Sequence, residues 1–325
     1  MAASSQVRLR ARRALLIHGG ALGDFIMSLR LVEALRRSGA SHVAVLGKPS
    51  LAGLALACGN VDEVRNLDVG HFHRLFGRDV RLPNDAADWL GRFDLAVNTL
   101  ADRDQIVADN LRDLGIKSVI NLDPRPRVDW AGHVSGQWLH DLASHELMAD
   151  AGPPNLNLPE AIRHKAEDAL RRLFPEEDLK PVVMHPGSGG RAKCWPIDQF
   201  IMLSAELKER RFAPLFVLGP VELERFTHAE VSAIRTTSPT IDSPSFLELA
   251  GLVAAGGRYV GNDSGVSHLA AAVGAKSVVL FGPTDPVRWR PLGDSVRVVR
   301  GARAGEMPGV AEVLREIIAL VSSPS

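Results

Sequence analysis

The sequence is poor in cysteine and has no long hydrophobic run, and each shortage excludes a class of protein. Its 325 residues include only Cys58 and Cys194, which form neither a disulfide framework nor a zinc-binding spacing. No apolar run reaches the roughly 18 residues that a membrane span needs. Basic and acidic residues number 38 each, so no overall positive charge favours nucleic acid as a partner. The composition, 46% hydrophobic, is that of a globular chain long enough for two domains.

The N-terminus carries a cluster of arginines but no apolar signal core. Arg8, Arg10, Arg12 and Arg13 precede a short apolar run at residues 14–17, which is typical of a first strand. We therefore expect a cytoplasmic protein that is not secreted, and the scarcity of cysteine suits a reducing compartment. Two interpretations of the arginines stay open: a solvated chain end, or a basic patch that contacts the anionic inner face of the membrane.

Short apolar runs alternate with helical patterns in both halves of the chain. Strands are predicted at residues 14–18, 42–46, 94–99, 118–122, 181–185 and 214–218. Helices are predicted at residues 25–37, 51–57, 105–114, 162–174, 197–210, 246–254 and 310–320. A stretch rich in Pro, Asn and Gly at residues 149–161 is predicted to link the two halves. We therefore expect two doubly wound α/β domains that face a central cleft, with ligands at the carboxyl ends of the strands.

The loop "HGGALGDF" follows the first predicted strand. Its glycines permit a tight turn, and Asp24 stands at or beside the start of the next helix. The loop is not a dinucleotide fingerprint, because Ala21 stands where GxGxxG requires glycine. Two roles for Asp24 stay open: a helix cap or a catalytic carboxylate.

A second loop, "HPGSGGRAKCWP", spans residues 185–196. It lacks the GKS/T ending of a P-loop, yet it offers three glycines, Ser188, Arg191 and Lys193 after a strand. Such a loop is either a cradle for a diphosphate or a flexible, solvated segment. Trp195 is interpreted as a packing residue at the start of the next helix and not as a platform on which a base stacks.

The stretch "YVGNDSGVSHLAAAVGAKSVVLF" orders a strand, a polar turn, a helix and a second strand. Asp263 or Ser264 can cap the helix, and Gly265 lets a ligand approach closely. The N–H groups of the first helical turn attract anions, and His268 follows one turn later. The alternative is an ordinary capped helix with a hydrogen-bonded histidine.

Two pairs of acidic residues suggest further contacts. Glu222 and Glu224 follow the strand at residues 214–218, where a carboxylate suits ribose hydroxyls or simply lies on the surface. Asp102 and Asp104 form a DxD pattern, which binds a metal-nucleotide in one class of glycosyltransferases. We expect no metal there, since these acids lie in the half of the chain without the phosphate loops.

Together these motifs resemble glycosyltransferase family 9, the ADP-heptose:lipopolysaccharide heptosyltransferases. The similarity is carried by "GALGD", "HPGSGGRAKCWP" and above all "NDSGVSHLAAAVGAKSVVLFGPTDPVRWRP". It is strong in the second half and weak over residues 49–157. It implies a GT-B fold of two Rossmann-like domains, with acceptor binding at residues 1–155 and donor binding at residues 156–305. It further implies that a C-terminal helix at residues 306–325 packs back on the N-terminal domain.

The resemblance also implies roles for individual residues. Asp24 matches the family's catalytic base, and Lys193 matches its contact to the donor phosphates. Glu222 falls where the family holds the ribose, although the loop is one residue shorter. Arg30 is a departure, because many members have proline there. The donor-binding set that the resemblance implies is Ser188, Gly189, Lys193, Glu222, Asp263, Ser264, Gly265 and His268.

The resemblance and the loops favour inverting transfer of a heptose or similar sugar from an ADP-sugar. The expected acceptor is a lipopolysaccharide core or a related lipid-linked glycan, with no cofactor, no metal ion and no nucleic acid. Two alternatives stay open: a sugar-nucleotide epimerase of GT-B fold, and a non-catalytic paralogue that binds a nucleotide. The broken glycine fingerprint disfavours a nicotinamide oxidoreductase.

Overall fold

The computed structural model describes residues 12–78, 81–176 and 178–322. Of the N-terminal arginines, Arg8 and Arg10 lie outside these residues, while Arg13 stacks over Phe93 and lies 3.7 Å from a Glu63 carboxylate oxygen. The chain divides between Pro153 and Pro154 into two compact units. Within the described ranges, no helix is both long and apolar enough to cross a membrane.

The first unit contains a five-stranded parallel sheet in the order β3-β2-β1-β4-β5. Its strands are β1 (Arg13–His18), β2 (His42–Gly47), β3 (Glu63–Asn66), β4 (Leu95–Asn98) and β5 (Ser118–Asn121). Its helices are α1 (Leu22–Arg37), α2 (Pro49–Ala57), α3 (Asn84–Leu90), α4 (Ile106–Asp113) and α5 (Val134–Ala143), with a 3₁₀ turn at Phe72–Phe76.

The second unit contains a six-stranded parallel sheet in the order β11-β10-β9-β6-β7-β8. Its strands are β6 (Lys180–His185), β7 (Phe212–Leu218), β8 (Thr240–Asp242), β9 (Arg258–Asn262), β10 (Lys276–Phe281) and β11 (Val296–Arg300). Its helices are α6 (Glu160–Leu173), α7 (Ile197–Glu209), α8 (Pro220–Arg225), α9 (His228–Thr237), α10 (Phe246–Gly256), α11 (Gly265–Ala272), α12 (Pro286–Trp289) and α13 (Val310–Ser322).

Continuous apolar runs form the central strands because parallel sheets are covered on both faces. Leu15 and Ile17 of β1 are fully buried and belong to a core cluster that also contains Trp89 and Phe93. The equivalent cluster of the second unit is built around β6, β7 and the helix α7. The predicted doubly wound α/β architecture is confirmed.

The last helix packs in the core of the second unit. Val313, Ile317 and Leu320 of α13 are buried in the cluster that contains Phe200 and Leu203 of α7. These apolar side chains are covered by α7, β10 and β11. The packing of the C-terminal segment on the N-terminal domain stays a prediction.

Several elements carry too weak a pattern to be predicted. The edge strand β3 is only half-buried along its length and contains no apolar run. The edge strand β8 is similarly short and exposed. In contrast, α9 begins with a capping box in which Glu230 N–H donates to the Thr227 hydroxyl, a signal that the sequence analysis did not use.

Candidate functional site

The strand order of the second sheet reverses between β6 and β9. These strands are hydrogen-bonded neighbours, but β7 and β8 lie between them in sequence and extend the sheet on one side only. Ligands of such sheets bind in the crevice outside the carboxyl ends of the strands at this switch point. The loop after β6 is the predicted diphosphate cradle, and the loop after β9 is the predicted helix-capping turn. Topology therefore brings these two candidate loops together.

Asp263 is the centre of the contact between the two loops. Ser188 Oγ donates to the Asp263 carbonyl oxygen at 2.6 Å, and Lys193 Nζ lies 2.8 Å from Asp263 Oδ2. Thr284 Oγ1 donates to the same carboxylate oxygen at 2.6 Å. The carboxylate is buried, whereas 37% of the lysine side chain is exposed. Lys193 is thus held at the edge of the site by a buried counter-charge.

Asn262, directly before Asp263, braces the backbone of the cradle. Its Nδ2 donates to the Pro186 carbonyl oxygen at 2.8 Å, and its Oδ1 accepts from Trp195 N–H at 2.9 Å. Trp195 is 1% exposed and its indole N–H donates to the Pro308 carbonyl oxygen. Trp195 is therefore a packing residue, as predicted.

The turn after β9 differs in detail from the predicted cap. Ser264 occupies the N-cap of α11, but neither its side chain nor that of Asp263 caps the helix; the Asp263 carboxylate binds Lys193 and Thr284. Gly265 is the first residue of α11. His268 lies one turn further along the helix and is 6% exposed.

Glu222 lies on the opposite side of the cradle and is buried. Its Oε2 accepts from Gly219 N–H at 2.8 Å and lies 3.5 Å from His185 Nε2. Burial acts to raise the pKa of Glu222, but the hydrogen bond and charge of His185 together with the Gly219 N–H hold the pKa below its ordinary value. Glu224, the other predicted candidate, is exposed.

A cavity of about 690 Å³ adjoins the cradle on this side. Gly187, Ser188 and Glu222 line it together with apolar side chains such as Ile197 and charged side chains such as Arg225. Gly189 is exposed nearby, where its carbonyl oxygen accepts from Arg225 Nη1 at 3.3 Å. The cradle is thus exposed around Gly189 and Arg191 and is anchored by the hydrogen bonds of Ser188 and Lys193.

Asp24 lies in the first unit, in the first turn of α1. The helix begins at Leu22, with Ala21 as N-cap, so Asp24 is the third helical residue and its Oδ2 accepts from Ala21 N–H at 3.3 Å. A Cβ atom at Gly20 would lie 3.1 Å from that oxygen and 2.9 Å from the ring of His18. A side chain at position 20 would therefore require the side chains of His18 and Asp24 to shift.

Asp102 of the DxD pattern is a helix cap. Its two carboxylate oxygens accept from Val107 N–H at 3.1 Å and from Ala108 N–H at 2.9 Å, at the start of α4. No group of three or more His, Cys, Asp and Glu side chains that could hold a metal ion occurs within the described part of the chain. Cys58 and Cys194 are both free thiols.

One residue that contacts these loops was not predicted from the sequence. Thr284 belongs to the "FGPTDP" turn after β10, which was used only as a family motif. Its contact with Asp263 joins the loop after β10 to the loops after β6 and β9. The motif was sufficient to predict a loop after β10, but not its contact with the Asp263 carboxylate.

Two doubly wound parallel units, with glycine-rich loops at the switch point of the second, define the GT-B class of α/β proteins. A sequence model described as glycosyltransferase family 9 (heptosyltransferase) matches residues 134–316, more than half of the chain. The chain belongs to glycosyltransferase family 9, and this membership favours the transferase prediction over the epimerase alternative.

Similar proteins agree with this assignment. Lipopolysaccharide heptosyltransferase 3 of Escherichia coli (strain K12) is 30% identical over 139 residues, a match that spans 40% of this chain and 40% of that protein. The family 9 glycosyltransferase of Veillonella parvula covers 95% of this chain and 97% of its own, with 17% identity and a TM-score of 0.78. The match to the E. coli ADP-heptose lps heptosyltransferase II covers 95% of this chain and 98% of that chain, with 20% identity and a TM-score of 0.70. The two structural similarities show the fold.

Proposed function

We propose that this protein transfers a heptose from ADP-heptose to a lipopolysaccharide-core or related glycan acceptor, with inversion at the anomeric carbon and without a metal ion. One observation carries the proposal: Ser188, Lys193 and Thr284 all converge on Asp263 at the switch point of the second sheet. The similar E. coli protein is an ADP-heptose lps heptosyltransferase, which supports this donor.

The second unit supplies the chemistry of the leaving group. When the glycosidic bond to ADP breaks, negative charge develops on the departing diphosphate. Lys193 contributes a positive charge, and the first-turn N–H groups of α11 contribute dipoles. His268, in the same helix, is proposed to contact the donor phosphates as well. Preorganised charges of this kind stabilise the transition state without reorganising.

The cradle and Glu222 are proposed to orient the rest of the donor. Ser188 and Gly189 lie beside Lys193 in the cradle. Glu222 lines the adjoining cavity with a carboxylate that stays ionised, because its pKa lies below the ordinary value. An ionised carboxylate accepts hydrogen bonds from ribose hydroxyls, which is the role that we propose for it.

The first unit supplies the base. Asp24 is proposed to accept the proton of the acceptor hydroxyl as that oxygen attacks the anomeric carbon, so that the oxygen–carbon bond forms while the bond to ADP breaks. The Ala21 N–H holds one carboxylate oxygen and thereby orients the side chain.

The test separates the two proposed roles. ADP release from ADP-heptose is measured in the presence of a lipopolysaccharide-core acceptor, with and without excess EDTA, and donor affinity is measured by calorimetry. We expect Asp24→Asn to lower the transfer rate about 10²–10⁴-fold with donor affinity kept, since a general base acts only in the chemical step. Lys193→Ala is expected to weaken donor binding and transfer together, while Lys117→Ala, an exposed lysine of the first unit, serves as the control.

Transfer by Asp24→Asn at the rate of the unchanged protein would show that this residue is only part of the helix start. Loss of activity in EDTA that is restored by a divalent metal ion would contradict the metal-free mechanism. No binding of ADP-heptose would refute the proposed donor.

A further inference from the structure

The first sheet has its own switch point, between β1 and β4. These strands are paired although β2 and β3 lie between them in sequence. The loop after β1 leads to Asp24, and the loop after β4 covers residues 99–105. The two loops touch, because a Cβ atom at Gly19 would lie 2.8 Å from Leu100 Cδ2. A ligand crevice is therefore expected beside the loop of Asp24.

A cavity of about 300 Å³ adjoins the loop after β4 and includes Leu100, the residue that faces Gly19. It is lined by the loop after β4, by the start of α4 and by the 3₁₀ turn at Phe72–Phe76, and none of the residues assigned to donor binding borders it. The lining side chains include Phe76, Leu100, Arg103, Asp104 and Ile106. Its volume suits one saccharide ring and is small for a nucleotide.

The loop that forms the cavity is held rigidly by its neighbours. Thr99 Oγ1 donates to the Ile17 carbonyl oxygen at 2.9 Å, and Asn121 Nδ2 donates to Asp102 Oδ2 and to Gln105 Oε1, both at 3.0 Å. Gln105 has a left-handed backbone conformation with φ 59°. Such a conformation in a non-glycine residue persists where the surroundings impose it, and it is frequent at ligand sites.

Three side chains give the cavity the chemistry of a carbohydrate site. Phe76 is 50% exposed, so part of its ring is accessible to a ligand. Arg103 and Asp104 are exposed, and within the described ranges neither forms a side-chain hydrogen bond or ion pair. A sugar ring offers an apolar C–H face to the aromatic ring and hydroxyl groups to both charged side chains. Because the two charges cancel, an isolated anion gains little here.

We propose that this cavity binds a saccharide ring of the acceptor, with Phe76 against the apolar face of the sugar and Arg103 and Asp104 on its hydroxyl groups. The inference rests on the proposed function, because it assumes that Asp24 acts on an acceptor bound nearby. It names the acceptor-binding residues that the sequence motifs leave open.

Binding is tested in the full chain by saturation-transfer-difference NMR, with the methyl glycoside of a heptose and inorganic phosphate as separate probes. We expect the heptoside to bind, and Phe76→Ala and Arg103→Gln each to weaken binding about tenfold. Asp104→Asn is expected to have a smaller effect, because an amide still accepts hydrogen bonds from hydroxyl groups. The matched controls are Arg92→Gln and Val128→Ala. Arg92 is an exposed arginine that precedes the amino end of β4, whereas the cavity lies after its carboxyl end, and Val128 is an exposed apolar residue of the same unit.

Heptoside binding that is unchanged in both Phe76→Ala and Arg103→Gln would overturn the inference. So would the absence of any heptoside signal in the unchanged protein at about 20 mM, or binding of phosphate through Arg103 without binding of the heptoside. Calorimetry with ADP-heptose on the same samples separates this result from the proposed function. Donor binding without saccharide binding refutes only the cavity, and saccharide binding without donor binding refutes only the donor.

Discussion

At the scale of single residues, the absence of a side chain at Gly187 leaves space for the carboxylate of Glu222. A Cβ atom at Gly187 would lie 1.8 Å from Glu222 Oε1 and 2.2 Å from its carboxyl carbon. The carboxylate has little room to move, because it is 5% exposed and is held by Gly219 N–H and by His185. Glycine is therefore required at position 187 by space and not by backbone conformation.

We predict that Gly187→Ala lowers the free energy of unfolding by about 1–3 kcal/mol, the typical cost of overpacking a buried position. Urea unfolding measures it. Gly189→Ala is the matched control, because the same loop leaves no atom within 4 Å of a Cβ at that position. The substitution Glu222→Ala should reduce the cost of Gly187→Ala, since it removes the colliding atoms. Equal losses from the two alanines would contradict this account.

At the scale of elements, Arg30 ties α1 to two other parts of the first unit. Its guanidinium donates to Ser135 Oγ of α5 at 2.8 Å and to the carbonyl oxygens of Ala151 at 2.7 Å and Gly152 at 3.0 Å. Burial lowers the pKa of Arg30, opposed by the charges of Glu33 and Asp150, and the group stays charged at neutral pH. The departure from the family pattern at this position is thus a structural contact between elements.

We predict that Arg30→Ala lowers the stability of the first unit by about 2 kcal/mol, since hydrogen bonds from a charged group contribute roughly 1.5–3 kcal/mol. Donor affinity should not change, because the proposed donor site is in the second unit. Arg171→Ala removes an arginine that forms an exposed ion pair on α6, and it is expected to have little effect. Hydrogen exchange of α1 and α5 peptides measures the difference; unchanged protection in Arg30→Ala would refute the structural role.

At the scale of the whole molecule, stability is expected to depend on pH through His18. This residue ends β1 and is 4% exposed. Burial and, to a lesser degree, the charge of Lys48 lower its pKa to about 4, against an ordinary value of about 6.5. Between these two values the unfolded chain binds a proton that the folded chain does not. The stability that neutral His18 contributes is therefore fully present above pH 6.5 and is lost as the pH falls toward 4.

We predict that the free energy of unfolding is on the order of 2 kcal/mol lower at pH 5 than at pH 7 through this residue alone. Hydrogen exchange of β1 peptides reports it for the first unit. His18→Asn should remove most of this pH dependence, whereas His228→Asn, an exposed histidine of the second unit, should leave it unchanged. A difference in pH dependence between the two variants would assign the effect to His18 and not to other titrating groups. An identical pH dependence in both would show that folding does not lower the pKa of His18.

The sequence alone determined the α/β alternation, the loops at the strand ends and the family. Apolar runs such as that of β1 are a local signal, because a strand covered on both faces must be apolar along its length. The three loop motifs are local in the same sense, since each lies within one strand-to-helix connection. Short edge strands such as β3 escaped prediction because they need only partial burial.

Only the tertiary structure decided which atoms meet. Ser188 and Asp263 are 75 residues apart in sequence, and their contact depends on the pairing of β6 with β9. The same is true of Thr284 on Asp263, and of Leu100 against Gly19 beside the cavity of the first unit. The tertiary structure also decided that Glu222 is buried against Gly187. The order of strands in a sheet is set by packing over the whole unit, so no single stretch of sequence specifies these contacts.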